Sequence, residues 1–216
     1  MNDDFYTSAN QRFYAKCLRY YEQNIIDKPI VFLPCANANK TRGKYGKKRI
    51  SQSFTHQLMS AITKDGSLEK IIISEPLTII PYRFEDEMPD YDYPPKLLHK
   101  KPDDLVLKDD WQLKRRLSIF LRVLYEKGVK RVYYCGGYHH YNLLKAANMG
   151  MLEIIAVLSR EGTRDYARIA KELRKKILEI EQGEILERTV LPKTHSPLFG
   201  KSPTTFRSEI KWAGGK

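Results

Sequence analysis

Hydrophobic and polar residues follow two different periods along this chain. Short continuous apolar runs occur at 30–33, 71–73, 132–135 and 154–158, and polar or turn-forming residues bound each run. Runs of this length are typical of strands that are buried on both faces. Longer segments between them repeat apolar residues at helical spacing. This alternation predicts an α/β fold, a three-layer sandwich built on a mostly parallel sheet.

The predicted helices carry start and stop signals. Ser8 and Gln11 have the spacing of a capping box at the start of the first helix. Asp109 and Asp110 begin a central helix, and Gly128 fits the position just after its end. Two further helices are expected at 141–148 and about 163–182. A helix capped by Ser51 or Ser53 is expected to reach about residue 63, with an inward face formed by Phe54, Leu58 and Ile62.

The domain organisation is expected to be simple. A length of 216 residues suits one sizeable domain rather than two. We expect a single α/β domain over 1–190 and a basic C-terminal tail over 191–216. The segment 82–108 is rich in proline and acidic residues and is expected to be irregular.

The charge of the chain limits its function classes. A net charge of +12 and a pI near 9.5 favour a polyanionic partner. No apolar run approaches the roughly 20 residues of a membrane span, and the acidic N-terminus has no secretory signal, so nucleic acid is favoured over membrane. Three widely spaced cysteines indicate free thiols in a reducing, cytoplasmic compartment. They lack metal-ligand spacing, and no metal or other cofactor is expected.

Candidate chemistry follows the first predicted strand. Pro34 and Cys35 end that strand, and the carboxyl ends of parallel strands form the usual ligand crevice of an open α/β sheet. A thiol near basic residues and a helix start can act as a nucleophile. The alternative is that Cys35 is a small buried residue that closes the strand.

Polar side chains recur after both early strands. Ser53 and His56 lie three residues apart and would share a helix face, so His56 could move protons or bind a base edge or phosphate. Alternatively, Ser51 and Ser53 only cap the helix and His56 is a surface residue. An acidic cluster begins at Glu85, which could point into the crevice as an acid, a base or an amine-binding group.

Two further motifs suggest ligand contacts. Gly136 and Gly137 lie between a strand and a helix, where they let the backbone approach a ligand, and Tyr138 could stack on a base. The alternative is a tight turn, and the adjacent His139 and His140 cannot share a face as a metal pair. A basic segment could clamp phosphates or could be a solvated loop; its cations are Lys40, Arg42, Lys44, Lys47, Lys48 and Arg49.

These blocks together resemble the core domain of the archaeosine synthase family. The family motif has Pro-Cys followed by Lys-Pro-Tyr-Ser-x-Ser-x-x-His. Here Pro34-Cys35 is followed by Lys48, Ser51, Ser53 and His56 in matching register, after a longer spacer of residues 36–47 and with Arg49 and Ile50 in place of Pro and Tyr. The second family block is matched by Pro76, Leu77, Pro81, Glu85 and Tyr91-Asp92, with Thr78 in place of a family glycine. The resemblance covers about residues 29–160.

The resemblance implies a fold and a reaction. The family core is similar to the uracil-DNA glycosylase fold. The family modifies transfer RNA: the amine of lysine adds to the nitrile of a 7-cyano-7-deazaguanine base. For this chain, that implies Cys35, His56 and Glu85 as catalytic residues. It also implies substrate binding by Pro34, Lys48, Ser51, Ser53, Pro76, Leu77, Gly136, Gly137 and Tyr138, and nucleic-acid binding by Lys40, Arg42, Lys44, Lys47 and Arg49.

Three alternatives stay open from the sequence. The chain could be a non-catalytic nucleic-acid-binding module of the same fold. It could act on a different 7-deazaguanine, in DNA or as a free nucleoside. Because the family's transglycosylase-like and RNA-binding modules do not fit within 216 residues, it could also depend on a transglycosylase-like or radical-enzyme partner.

Overall fold

The sheet of this protein has five strands in the order β3-β2-β1-β4-β5. The computed structural model describes residues 7–35, 50–89, 107–160 and 165–190. Its strands are β1 (Ile30–Pro34), β2 (Glu69–Ser74), β3 (Thr78–Pro81), β4 (Arg131–Gly136) and β5 (Glu153–Leu158). All neighbours pair in parallel except β2 and β3, which form an antiparallel hairpin. The mostly parallel sheet predicted from the apolar runs is therefore confirmed.

Helices cover both faces of the sheet. They are α1 (Ser8–Gln23), α2 (Phe54–Leu58), α3 (Ser60–Thr63), α4 (Leu107–Glu126), α5 (Tyr138–Asn148) and α6 (Tyr166–Val190). One hydrophobic cluster packs α1, α4 and α5 against one face, and a second packs α3 and α6 against the other. The three-layer sandwich is thus confirmed.

Alternation along the central strands explains the two layers. Phe32 of β1 and Tyr134 of β4 belong to the first cluster, whereas Val31 and Tyr133 belong to the second. Successive side chains of a strand point to opposite faces, so a strand covered on both faces must be apolar throughout. All five residues of β1 are buried.

Two helix starts differ from the expectations. Thr7, rather than Ser8, caps α1, because its side chain accepts the N–H of Asn10. Helix α5 begins at Tyr138, three residues earlier than expected, since Gly137 supplies an extended N-cap. The earlier start places His140 within the first turn of α5.

The expected helix over 51–63 is two short helices with a different inward face. Phe54 is 66% exposed, so its predicted inward position is wrong. The buried residues are instead Ser53, His56, Met59 and Ile62, which recur every three residues. This period of three suits the 3-10 turn and short helices of the segment.

The segment 82–108, which was expected to be irregular, has regular structure at its start. A 3-10 helix spans Tyr82–Glu87, directly after β3. Backbone contacts divide the chain into the units Met1–Ile180 and Glu181–Lys216. The sheet and helices α1 to α5 belong to the first unit, and α6 has residues in both. Over the residues that the structure describes, no helix is both long and apolar enough to cross a membrane.

Candidate active site at the carboxyl edge of the sheet

The thiol of Cys35 lies at the carboxyl end of the central strand β1. Pro34 pairs with Ile73 of β2, so the next residues along the two strands, Cys35 and Ser74, are neighbours. The Oγ atom of Ser74 donates a hydrogen bond to Sγ of Cys35 over 3.2 Å. A hydroxyl that donates to sulfur stabilises the thiolate, which is the nucleophilic form.

The three cysteines differ in their access to solvent. Cys17 and Cys135 have no exposed surface, and burial raises the pKa of Cys17 to about 12 and raises the pKa of Cys135 as well. Cys35 is only partly buried. Because reactivity requires both access and thiolate character, Cys35 is the thiol that this chain offers for chemistry.

An imidazole holds the backbone of Cys35. The backbone N–H of Cys35 donates to Nε2 of His140 over 3.3 Å. A backbone N–H can only donate, so Nε2 of His140 carries a lone pair in this arrangement. The contact arises because α5 follows β4, and β4 pairs with β1. The hydrogen bond between Cys35 and His140 holds the start of α5 next to the thiol.

The paired glycines let α5 approach this closely. A Cβ atom on Gly136 would lie 2.6 Å from Oη of Tyr134 and 3.0 Å from the ring of Pro34. Oη of Tyr134 in turn donates to the carbonyl of Gly137 over 2.7 Å. Gly137 has no side chain that could cap the first N–H groups of α5. The positive end of this helix lies at the carboxyl edge of the sheet, where His140 contacts the backbone of Cys35.

Gly136→Ala is expected to destabilise the protein by about 1–3 kcal/mol, the usual cost of overpacking. The new methyl group must displace either Tyr134 or the ring of Pro34, and both are buried. Urea unfolding followed by circular dichroism measures the change. Gly66→Ala is the matched control, because no atom lies within 4 Å of a Cβ at that position. Equal stability of the two variants would contradict the close approach.

His56 ties the end of β1 to the 3-10 helix. Its Nε2 atom lies 2.9 Å from the carbonyl oxygen of Pro34, and its Nδ1 atom lies 2.6 Å from Oη of Tyr82. A carbonyl only accepts, so Nε2 carries the proton and Nδ1 accepts from Tyr82. The side chain is fully buried, and burial lowers its pKa to about 4. This geometry favours a positioning role over the proton transfer expected from the sequence.

The two serines and Glu85 complete the same connection. Ser53 caps α2, and its Oγ accepts the N–H of His56 over 3.3 Å. The carboxylate of Glu85 accepts the backbone N–H of Ser51 over 2.6 Å and its Oγ–H over 2.5 Å. Glu85 is 6% exposed. These groups therefore anchor the start of α2 beside Cys35, with Glu85 committed to Ser51.

The remaining predicted site residues separate into three groups. Pro76 and Leu77 are buried in the turn between β2 and β3, which follows Ser74. Tyr138 is 51% exposed at the start of α5 and so is accessible to a ligand. The basic segment lies outside the described residues; its predicted contacts are Lys40, Arg42, Lys44, Lys47, Lys48 and Arg49.

Sequence reasoning missed Ser74 and His140 as neighbours of the thiol. Ser74 lies at the end of a strand like Cys35, so an adjacent pairing of β1 and β2 would have found it. His140 required the order of β1 and β4 and the early start of α5. The site therefore contains a thiol, a hydroxyl that donates to it and an imidazole that holds its backbone. Within the described residues, no group of three histidine, cysteine, aspartate or glutamate side chains could hold a metal ion.

Comparisons with known proteins give one structural likeness. No protein-family model and no curated protein match this chain. A similar solved structure is the crystal structure of AF0587, a protein of unknown function, with a TM-score of 0.49 and 19% sequence identity. The alignment covers 76% of this chain and 49% of that chain. This chain thus spans about half the length of the structure that it matches.

Proposed function

We propose that this protein is a thiol-dependent, cytoplasmic transferase of the archaeosine synthase type. It would add the amine of lysine to the nitrile of 7-cyano-7-deazaguanine in transfer RNA. The observation that carries the proposal is the partly exposed Cys35 thiol, which accepts a hydrogen bond from Ser74 at the carboxyl edge of a parallel sheet. A nucleophile at this edge is suited to attack on an electrophilic carbon.

The proposed reaction has two balanced steps. Sulfur of Cys35 attacks the nitrile carbon, a C–S bond forms, and the thiol proton passes to the nitrile nitrogen to give a thioimidate. The amine nitrogen then attacks the same carbon, and the C–S bond breaks. The amine loses a proton, the thiol regains one, and an amidine remains on the base. Neither step requires an oxidant or a reductant.

The neighbouring groups have separate parts in these steps. Ser74 would stabilise the thiolate before attack and again as it leaves. The negative charge that develops on the nitrile nitrogen would be stabilised by the positive end of α5, which begins beside Cys35. His140 would hold the backbone of Cys35 as a positioning residue. His56, Ser51 and Glu85 would fix the surrounding chain.

Charge supports an RNA substrate. The segment 36–49 contains six lysine or arginine residues and no acidic residue. It follows Cys35 directly, and Ser51, just beyond its other end, is anchored by Glu85 beside the site. Lysine and arginine side chains are the usual contacts of nucleic-acid phosphates, so we assign the cations of this sequence segment to the phosphates around a modified base.

One backbone angle also supports the resemblance. Thr78 has a φ of 69°, in the left-handed region that favours glycine. The family motif has glycine at this position. A β-branched residue costs about 1–3 kcal/mol in such a conformation. The first residue of β3 thus has a backbone conformation that glycine would adopt without strain, and this supports the proposed resemblance.

Mass spectrometry of nucleosides tests the proposal. Transfer RNA that carries 7-cyano-7-deazaguanine is incubated with the full chain and isotopically labelled lysine, and the RNA is then digested. We expect a labelled adduct of the base whose mass equals the sum of base and lysine. RNA binding without any adduct would contradict the proposal and would favour a binding module or a subunit that requires a partner protein.

A further inference from the structure

Helix α4 presents a basic and aromatic surface to solvent. Its exposed residues line a shallow depression of about 450 Å³ together with Met149, which follows α5. Trp111 and Met149 are 53% and 72% exposed, and they lie on the same depression. We call this the α4 surface; it comprises Trp111, Lys114, Arg115, Ile119, Arg122 and Met149.

The cations of the α4 surface are not neutralised within the described part of the chain. Lys114, Arg115 and Arg122 form no ion pair with any residue that the structure describes, and no carboxylate lines the depression. Basic residues of α6 differ, because Arg174 pairs with Asp65 and Lys175 pairs with Glu179. The basic charge of α6 is thus largely balanced locally, whereas that of the α4 surface is available to a polyanion.

An aromatic ring lies among these cations. The guanidinium of Arg115 lies 5.1 Å from the centre of the Trp111 ring. Arg115 and Arg122 are four and eleven residues beyond Trp111, so the three fall on one side of the helix and extend over about 16 Å. Exposed aromatic rings flanked by cations are the usual platform for unpaired bases, since the ring stacks on a base and the cations contact phosphates.

The direction of α4 places one end of this surface, Trp111, toward the sheet edge that carries the candidate site. Helix α4 leads into β4 through a short connection at 127–130, so it runs antiparallel to the strand. Trp111 in the first half of α4 therefore lies toward the carboxyl edge of the sheet, the edge that carries Cys35. Helices α4 and α5 also pack against each other in the same cluster.

From this arrangement we propose that the α4 surface binds single-stranded segments of the substrate RNA, with Trp111 stacking on a base and Arg115 and Arg122 contacting phosphates. The proposal shares its RNA substrate with the proposed function. Its test measures binding rather than turnover, so the two can fail separately. A polyanion rather than an apolar partner protein is favoured, because the three cations beside the ring form no ion pair with any described residue.

Fluorescence anisotropy with a labelled, unmodified transfer RNA transcript tests the surface. We expect Arg115→Ala/Arg122→Ala to weaken binding at least tenfold at moderate salt. The slope of log affinity against log salt should fall by about 1.5, because two phosphate contacts are lost. Trp111→Ala should weaken binding about tenfold with an unchanged salt slope, because stacking releases no counterions. All three side chains are exposed, so the melting temperature should not change.

The matched control removes equal charge elsewhere. Arg168→Ala/Lys175→Ala also removes two cations, but both are paired on α6. It should leave affinity within twofold of the parent. Equal losses in the two double variants would overturn the proposal, because binding would then respond to net charge alone. Unchanged affinity of the α4 variants would also overturn it and would assign the surface to a protein partner.

Tryptophan fluorescence gives a second, independent measurement. The chain has two tryptophans, so Trp212→Phe leaves Trp111 as the sole indole. Adding a short uridine oligonucleotide should quench its emission, because a stacked base quenches indole fluorescence. The same titration with Arg115→Ala/Arg122→Ala should require about tenfold more oligonucleotide. Emission that does not change at saturating oligonucleotide would overturn the stacking role of Trp111.

Discussion

Cys35→Ser is expected to lower turnover by about 10³-fold or more while transfer RNA binding stays intact. A neutral hydroxyl is a far weaker nucleophile than a thiol with thiolate character, and it would be a poor leaving group in the second step. The substitution preserves size, and Ser74 can still donate to the new oxygen. The loss should therefore appear in kcat rather than in the affinity for RNA.

The measurement is single-turnover formation of the lysine adduct, with anisotropy as the binding control. Cys17→Ala is the matched thiol control, because Cys17 is buried in α1 and takes no part in the site. It should retain turnover within a few fold. Full turnover by Cys35→Ser would contradict covalent catalysis, and a parallel loss of RNA binding would indicate a structural role for the thiol.

The second large effect concerns the pH dependence of stability. We expect the free energy of unfolding to fall by about 3 kcal/mol as pH drops from 7 to below 4, through His56 alone. The folded protein holds the pKa of His56 at about 4, against 6.5 when the chain is unfolded. Burial is the main cause, because the imidazolium cannot be hydrated in its position between Pro34 and Tyr82.

The sign follows from proton uptake. Between pH 6.5 and 4 the unfolded chain binds a proton at His56 that the folded protein refuses, so acid favours unfolding. The contribution is fully present above about pH 6.5, about 2 kcal/mol of it is lost by pH 5, and the loss is complete below about pH 4. If the hydrogen bond from His56 to the carbonyl of Pro34 broke, the chain at Cys35 would no longer be held in place.

Urea unfolding at several pH values from 7.5 to 4 measures this effect. His56→Gln should be less stable than the parent at pH 7.5 but should lose less stability on acidification. The number of protons taken up on unfolding, measured by the pH slope of the free energy of unfolding, should be lower by about one. His139→Gln is the control, since His139 is exposed on the same chain and should leave the parent profile unchanged. Parallel profiles for the parent and His56→Gln would contradict the lowered pKa of His56.

The strands and layers were predictable because local pattern decides them. A run such as Ile71–Ile73 has no polar face, so it can only be buried on both sides of a sheet. The short helices after Ser53 were harder to predict from the sequence. Phe54 suggested an inward face by its hydrophobicity, but tertiary bonds from His56 to Pro34 and Tyr82 turn the segment so that the imidazole is inside. Contacts of that kind join residues that are distant in sequence.

The candidate site could be predicted only in part for the same reason. The end of β1 indicated Cys35, because its strand was recognisable and strand ends form crevices. The sequence could not indicate whether Ser51 and Glu85 face a ligand or each other. In the structure they bind each other, so residues that resemble catalytic groups hold the site together. His140 depended on which strands are neighbours, which local pattern does not encode.

The most direct test of the central claim is intact-protein mass spectrometry of the covalent intermediate. The full chain is incubated with transfer RNA that carries 7-cyano-7-deazaguanine, without amine, and the RNA is then digested with nuclease. We expect a mass increase equal to the bound mononucleotide, localised by peptide mapping to Cys35 and removed by added lysine. Active protein that forms the lysine adduct but shows no such mass, or carries it on another residue, would contradict nucleophilic attack by Cys35.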